Sequence, residues 1–302
     1  MVLTTIDPSK FVIQSDGILG AVEVSIFIGL VLYGISVSQV YTYFRLWKDD
    51  RPALKLLVMI ILILETAHSF TAGMVVYYDT VTRFQAPKAN SYPLSTNALL
   101  ETLINLIVEC FFSYRIYRLS LKNIPIVLSC LIFVLLRFIS GTYLVIEGYL
   151  DVPNEPNGIS LAVHYSWLIT SCLAVGGMAD VLIAFFMIYY LLNLKSSSVD
   201  VRKSTINLIN RLTLWSLQTG LITSVTSVAV IICFQAMKNM VWFGLYMILA
   251  KLYSNSLLVS LNARSRKPEQ SHVFSKTLTA IEFTHRELVS INFPAITDDD
   301  CV

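Results

Sequence analysis

Eight ionisable side chains stand inside apolar stretches of the sequence: Glu23, Glu65, His68, Glu101, Glu109, Arg137, Asp180 and Lys251. Ionisable groups in hydrocarbon are expensive, and where they occur they mark paths for protons, ions or substrates. Histidine apart, five acids face two bases, so Arg137 and Lys251 cannot neutralise every carboxylate. The surplus acids must be protonated, reach water near an interface, or meet a bound cation. Glu23 and Glu101 lie toward the outer ends of their stretches, where a carboxylate reaches water. Glu65, Arg137 and Lys251 lie near mid-depth, which predicts a Glu65–Arg137 or Glu65–Lys251 pair fixing helix register.

Spacing adds chemistry to these positions. Glu101, Asn105 and Glu109 recur at i, i+4 and i+8, so a helix carries them on one face. Such a stripe turns to the bundle interior or a wet cavity, as a proton, cation or amine pathway or as interhelical hydrogen bonding. Glu65 and His68 have the Glu-x-x-His spacing of di-iron bundles. That centre needs the motif twice plus two further glutamates, so no metal site is expected. Thr213, Ser216, Gly220, Thr223 and Ser227 step by 3, 4, 3 and 4. This small-residue stripe reads as helix packing. Gly176-Gly177 can relax the helix just before Asp180. Cys110, Cys130, Cys172 and Cys233 read as small buried hydrophobes, and no Cys-x-x-Cys or Cys/His ligand spacing occurs. There is no GxGxxG, P-loop, HExxH or GxSxG, so neither an enzyme nor a cofactor is expected.

The elements that must position these groups follow from composition. Of 302 residues, 55% are hydrophobic and 14% charged, with mean hydropathy +0.67. A soluble domain is roughly a quarter charged; so few charges cannot cover a soluble fold of this size. The net charge of +2 argues against nucleic acid as a partner. A membrane span needs about 20 apolar residues. Seven stretches qualify, at roughly 17–46, 53–78, 94–114, 124–150, 159–194, 205–234 and 240–261. Backbone groups in lipid must pair internally, and no stretch alternates as a barrel strand does, so the fold expected is an all-α integral membrane protein.

Basic residues set the threading. Sixteen lie in the first, third and fifth connectors and the tail, such as Arg45, Arg115, Lys195 and Arg264; Lys10, Arg83, Lys88 and Lys238 lie on the other side. The N-terminus is therefore expected outside and the C-terminus in the cytosol. Residues 1–16 form a short extracytoplasmic segment, 17–262 the seven-helix domain, and 263–302 a polar cytosolic tail. The expected location is a multi-pass position in the plasma membrane or another membrane of the secretory pathway. The partners expected are the bilayer and a cytosolic partner at the inner basic connectors and tail.

Several segments carry a resemblance as a set. They are Leu32-Tyr33-Gly34 with Gln39 to Phe44, Lys55 to Val58, Tyr114 to Ser120 with Asn123-Ile124-Pro125, and Ala179-Asp180-Val181. Lys251 to Leu258 and Leu261 to Arg264 complete it. The chain thereby resembles, over roughly residues 17–266, a large group of basidiomycete fungal integral membrane proteins. The C-terminal half of those proteins is classed as a domain of unknown function. The resemblance implies a seven-helix fungal membrane protein and brings no substrate, cofactor or catalytic residue.

Four functions compete. The leading one is a receptor-like or sensor protein, from the threading, the basic inner connectors and a tail with several Ser and Thr. The better-known receptor families match in topology only: no acid precedes Arg115, no proline follows Asn255, and no outer disulfide is implied. The second is a small proton, cation or solute transporter using Glu65, Glu101, Glu109 and Asp180. The third is a retinal-type pigment with Lys251 as Schiff-base lysine, although Met247, not an acid, sits one turn earlier. The fourth is a membrane scaffold without a ligand.

Overall fold

Helix starts follow local chemistry. Pro52 opens the second helix, and the residue before it, Arg51, is extended (φ −57°, ψ 138°). Ser91 caps the third helix by accepting the Leu94 N–H at 3.3 Å, with a proline in the first turn. Between the third and fourth helices, Lys122 takes a left-handed φ of 71°, and its N–H returns to the Tyr117 carbonyl at 3.1 Å.

The structure, a computed structural model, describes residues 15–82, 91–120, 122–154, 164–196, 220, 222–236 and 241–264. The helices are α1 (Ser15–Leu46), α2 (Pro52–Tyr77), α3 (Tyr92–Leu119), α4 (Ile124–Asn154), α5 (Ser166–Ser196), α6 (Ile222–Ala236) and α7 (Val241–Asn262). A π-helical turn, Tyr78–Thr82, follows α2. No strand occurs among the described residues. The tail expected over 263–302 lies, from Ser265 onward, outside the described residues.

Five helices are long and apolar enough to cross a membrane: α1, α2 with its π turn, α4, α5 and α7. The described part of α6 is apolar but shorter; residues 205–219 and 221 of the expected sixth span lie outside the described residues. Helix α3, with 28 residues, is long enough but too polar to qualify. Its polar side chains, among them Asn97, Glu101, Asn105 and Glu109, are buried inside the bundle. A helix surrounded by protein tolerates what a lipid-facing one does not.

Helix α7 is the most enclosed. Two-thirds of its apolar window (67%) is buried, against 22–33% in the other four spanning helices. Its Leu249, Ala250, Tyr253, Leu257 and Leu258 form one core with Val58 and Ile61 of α2 and Ile104 and Val108 of α3. A second core joins Ile116 of α3 with Val134 of α4 and Ala179 and Met187 of α5. Val230 and Phe234 of α6 pack on Ile169 and Leu173 of α5. The outer faces are apolar: Phe27, Val31, Ile63, Phe70, Ile139 and Phe185 are all exposed. In water that surface would be unfavourable, so the architecture fits a membrane-embedded protein.

Candidate functional site

The bundle encloses two ion pairs that share α7. In the first, Lys251 Nζ of α7 donates to Glu65 Oε2 of α2 at 2.6 Å. The ammonium also donates to Ser69 Oγ at 2.7 Å and to the Glu65 carbonyl at 3.2 Å, so all three donors have acceptors. Ser254, three residues along α7, donates to the other carboxylate oxygen at 2.6 Å. The Tyr33 ring of α1 lies 5.5 Å from the ammonium, within cation–π range. Asn255 ties α7 to α1 through the Leu32 carbonyl at 3.1 Å. Of the two pairs expected for Glu65, the one with Lys251 is the one formed.

Arg137 is committed elsewhere. It donates to Glu109 of α3 and to the Tyr253 hydroxyl of α7, the latter at 2.9 Å. Tyr253 in turn donates to Asp180 of α5. A single hydroxyl thus joins the arginine to a second carboxylate, and four helices meet at one buried network. The guanidinium also lies 5.2 Å from the Tyr253 ring. Gly176 makes room for it: a Cβ there would stand 2.8 Å from Arg137 Nε. A cavity of about 40 Å³ adjoins Glu109, Asp180, Tyr253 and Thr223. A void of about one probe sphere, 10–15 Å³, admits a water, so this one is large enough to admit water beside its polar side chains.

Glu101 stands between the two networks without belonging to either. It is wholly buried, neither Arg137 nor Lys251 pairs with its carboxylate, and the Asn105 side chain one turn on is its hydrogen-bond partner. This corrects the expectation that it reaches water. Position along α3 sets only its depth, and the neighbouring helices cover it from the side. Asn105 and Glu109, one and two turns on, are buried as well, so the whole stripe faces inward. His68 is buried with both ring nitrogens lacking a partner, and it borders a small void shared with Ser69 and Lys251. Glu23 is half-buried. No three His, Cys, Asp or Glu side chains gather as metal ligands among the described residues.

The packing stripe divides. Thr213 and Ser216 lie outside the described residues. Gly220 faces α5 so closely that a Cβ would lie 2.6 Å from the Ala184 Cβ. Thr223 and Ser227 are buried, and Ser227 lies 3.8 Å from where a Gly177 Cβ would be. Ser227 also hydrogen-bonds Asp180, so one residue of this stripe joins the charge network.

Sequence reasoning assigns no site role to Tyr253, Ser254 or Ser69, and reads Gly176 only as a point where the helix can relax. A signal for the first two existed. Residues 251, 253, 254, 255 and 256 are all polar, placing polar groups round most of the α7 circumference, as only a protein-enclosed helix allows.

Comparison with known families finds one match. Residues 176–266 match a family of unknown function (DUF6534). The matched stretch starts at Gly176, beside Arg137, and takes in Asp180, Lys251 and Tyr253. No curated protein and no solved structure matches the chain.

Proposed function

We propose that this is a seven-span membrane protein, N-terminus outside and C-terminus in the cytosol, that moves protons or small cations along its buried carboxylates. The observation that carries this reading is the charge imbalance beside water. Glu65, Glu101, Glu109 and Asp180 are all buried, and, His68 apart, Lys251 and Arg137 are the buried bases among the described residues. Glu109 and Asp180 line a cavity able to hold water. Acids that are neither matched by bases nor open to bulk solvent gain and lose cations, and that is the chemistry of intramembrane relays. The sixteen-to-four distribution of basic residues supports the threading. We assign no enzymatic step.

The receptor reading keeps one structural support: α7 supplies Lys251 to one ion pair and the Tyr253 hydroxyl to the other, so a tilt of this helix would disturb both. Its weakness is space. Ordinary ligand pockets measure about 300–1,000 Å³, and the cavity beside Asp180 is far smaller. The void beside Lys251 is about 10 Å³, which leaves no room for a retinal chain.

The test is flux in vesicles. Purified chain in liposomes with an internal pH dye should dissipate an imposed gradient, and Glu109→Gln should abolish this. Ligand-induced thermal stabilisation with no flux would favour the receptor. Neither flux nor stabilisation would leave a scaffold, with basic inner connectors presented to a cytosolic partner.

A further inference from the structure

Glu109 of α3 borders two voids. One is the cavity of about 40 Å³ that it shares with Asp180 and Tyr253. The other, of about 10 Å³, it shares with Asn105 of α3, Arg137 of α4, Cys172 of α5 and Tyr246 of α7. The two follow one another along the bundle. Cys172 and Tyr246, at the smaller void, come earlier on their helices than Met187 and Ser256, at the larger. On α3, Asn105 stands one turn before Glu109, and Phe112 follows it into the larger cavity. Among the described residues, Glu109 alone lines both voids.

The smaller void is bordered by groups that a water completes. Asn105 is buried, and its side-chain amide is hydrogen-bonded to Glu101, one turn back. Its carbonyl oxygen receives no donor among the described residues, and buried carbonyl oxygens are almost always satisfied. Arg137 can supply the opposite sense. Both of its hydrogen bonds to described residues leave from Nη1, and the other guanidinium nitrogens carry further N–H groups. Glu109 adds a carboxylate. A buried water needs a space of about one probe sphere and two to four polar partners, and this void supplies both. Charge decides between water and an ion. Arg137 and Glu109 already neutralise each other across the void, so the guest that fits is neutral.

We infer that one water binds between Asn105, Arg137 and Glu109, and that it delivers protons to Glu109. The water accepts from the guanidinium and donates to the Asn105 carbonyl oxygen and the Glu109 carboxylate. An amide does not pass protons on, so Asn105 is a positioning residue. A hydronium formed at this water gives Glu109 a proton and remains as water. Glu109 then releases that proton to water in the larger cavity and is a carboxylate again. The proton step rests on the conduction reading; the water site does not.

Hydroxyl-radical footprinting of the full chain in nanodiscs reads the water directly, because X-ray pulses label side chains that touch a bound water. Cys172 and Tyr246 should be labelled. Cys130, packed in the apolar core of α3, α4 and α5, should not be. Asn105→Leu, close to asparagine in volume but without the acceptor, should cut both labels and the proton flux roughly tenfold, about one hydrogen bond's worth. Asn105→Ser, which keeps an oxygen in less volume, should retain most of each. A merely structural asparagine would make the serine variant lose as much as the leucine one. No label at Cys172 and Tyr246 in the unmutated chain, or undiminished labels in Asn105→Leu, overturns the water site. The unmutated chain suffices for the first result if a variant fails to fold. Labels without any flux uphold the water and overturn conduction. Flux without labels does the reverse. Labels lost in Asn105→Leu with flux unchanged uphold the water and overturn its delivery of protons.

Discussion

Lys251 Nζ and Glu65 Oε2 lie 2.6 Å apart with side chains almost fully buried, and they join α7 to α2 at a point where neither charge reaches solvent. Breaking one partner of a buried pair leaves an uncompensated charge and costs about 3–5 kcal/mol, whereas replacing both with apolar groups is often tolerated. Lys251→Met should therefore destabilise the bundle by about that much. The Glu65→Leu, Lys251→Met double variant should recover most of the loss. Thermal unfolding in nanodiscs measures both. Additive losses in the double variant would refute the coupling.

The Tyr253 hydroxyl accepts from Arg137 and donates to Asp180. Tyr253→Phe keeps the ring over the guanidinium and deletes this connection. The expected stability loss is about 1–3 kcal/mol, since two buried polar groups lose a partner. If protons pass between Glu109 and Asp180, flux should fall in the same variant. Ser254→Ala, which alters only the Glu65 pair, should leave flux near its original value. Equal flux in Tyr253→Phe and the unmutated chain would remove the hydroxyl from the path.

Adjacent glycines give a matched contrast. A Cβ at Gly176 would lie 2.8 Å from Arg137 Nε, while one at Gly177 would find its nearest atom, Ser227 Cβ, at 3.8 Å. Gly176→Ala should displace the guanidinium and cost about 1–3 kcal/mol by overpacking. Gly177→Ala should be neutral or stabilising by up to about 1 kcal/mol, because alanine is the better helix former. The two thermal midpoints, compared directly, decide it. The sequence alone marks both glycines as a place where the helix can relax, and cannot tell them apart.

That inability has a general cause visible at several residues. The Glu101–Asn105–Glu109 face was legible because it depends only on helical repeat, and the structure turns it inward. The partner of Glu65 was not legible. Arg137 and Lys251 stand at similar depths on different helices, and only the order of helices round the bundle separates them. Glu101 was misread for the complementary reason, since position along a helix measures depth while neighbours decide exposure. Tyr253 and Ser254 were invisible as network members because hydroxyls in spans are usually packing or interface groups. The long apolar helices were the most legible feature, as hydrophobic length needs no tertiary context.

A tight contact between Ala184 of α5 and Gly220, just ahead of α6, supplies a last prediction. Gly220 leaves only 2.6 Å between a hypothetical Cβ and the Ala184 Cβ. Lipid gives no hydrophobic drive between helices, so their association depends on such close packing. Gly220→Ala should push the helices apart and cost about 1–3 kcal/mol. Because Ser227 bonds Asp180 across the same interface, the separation should also disturb the charge network and lower flux. Ala184→Gly reopens the space from the other side. The double variant should restore both stability and flux, which a general loss of helix quality at either position would not do. A double variant worse than either single change would show that the contact does not hold these helices together.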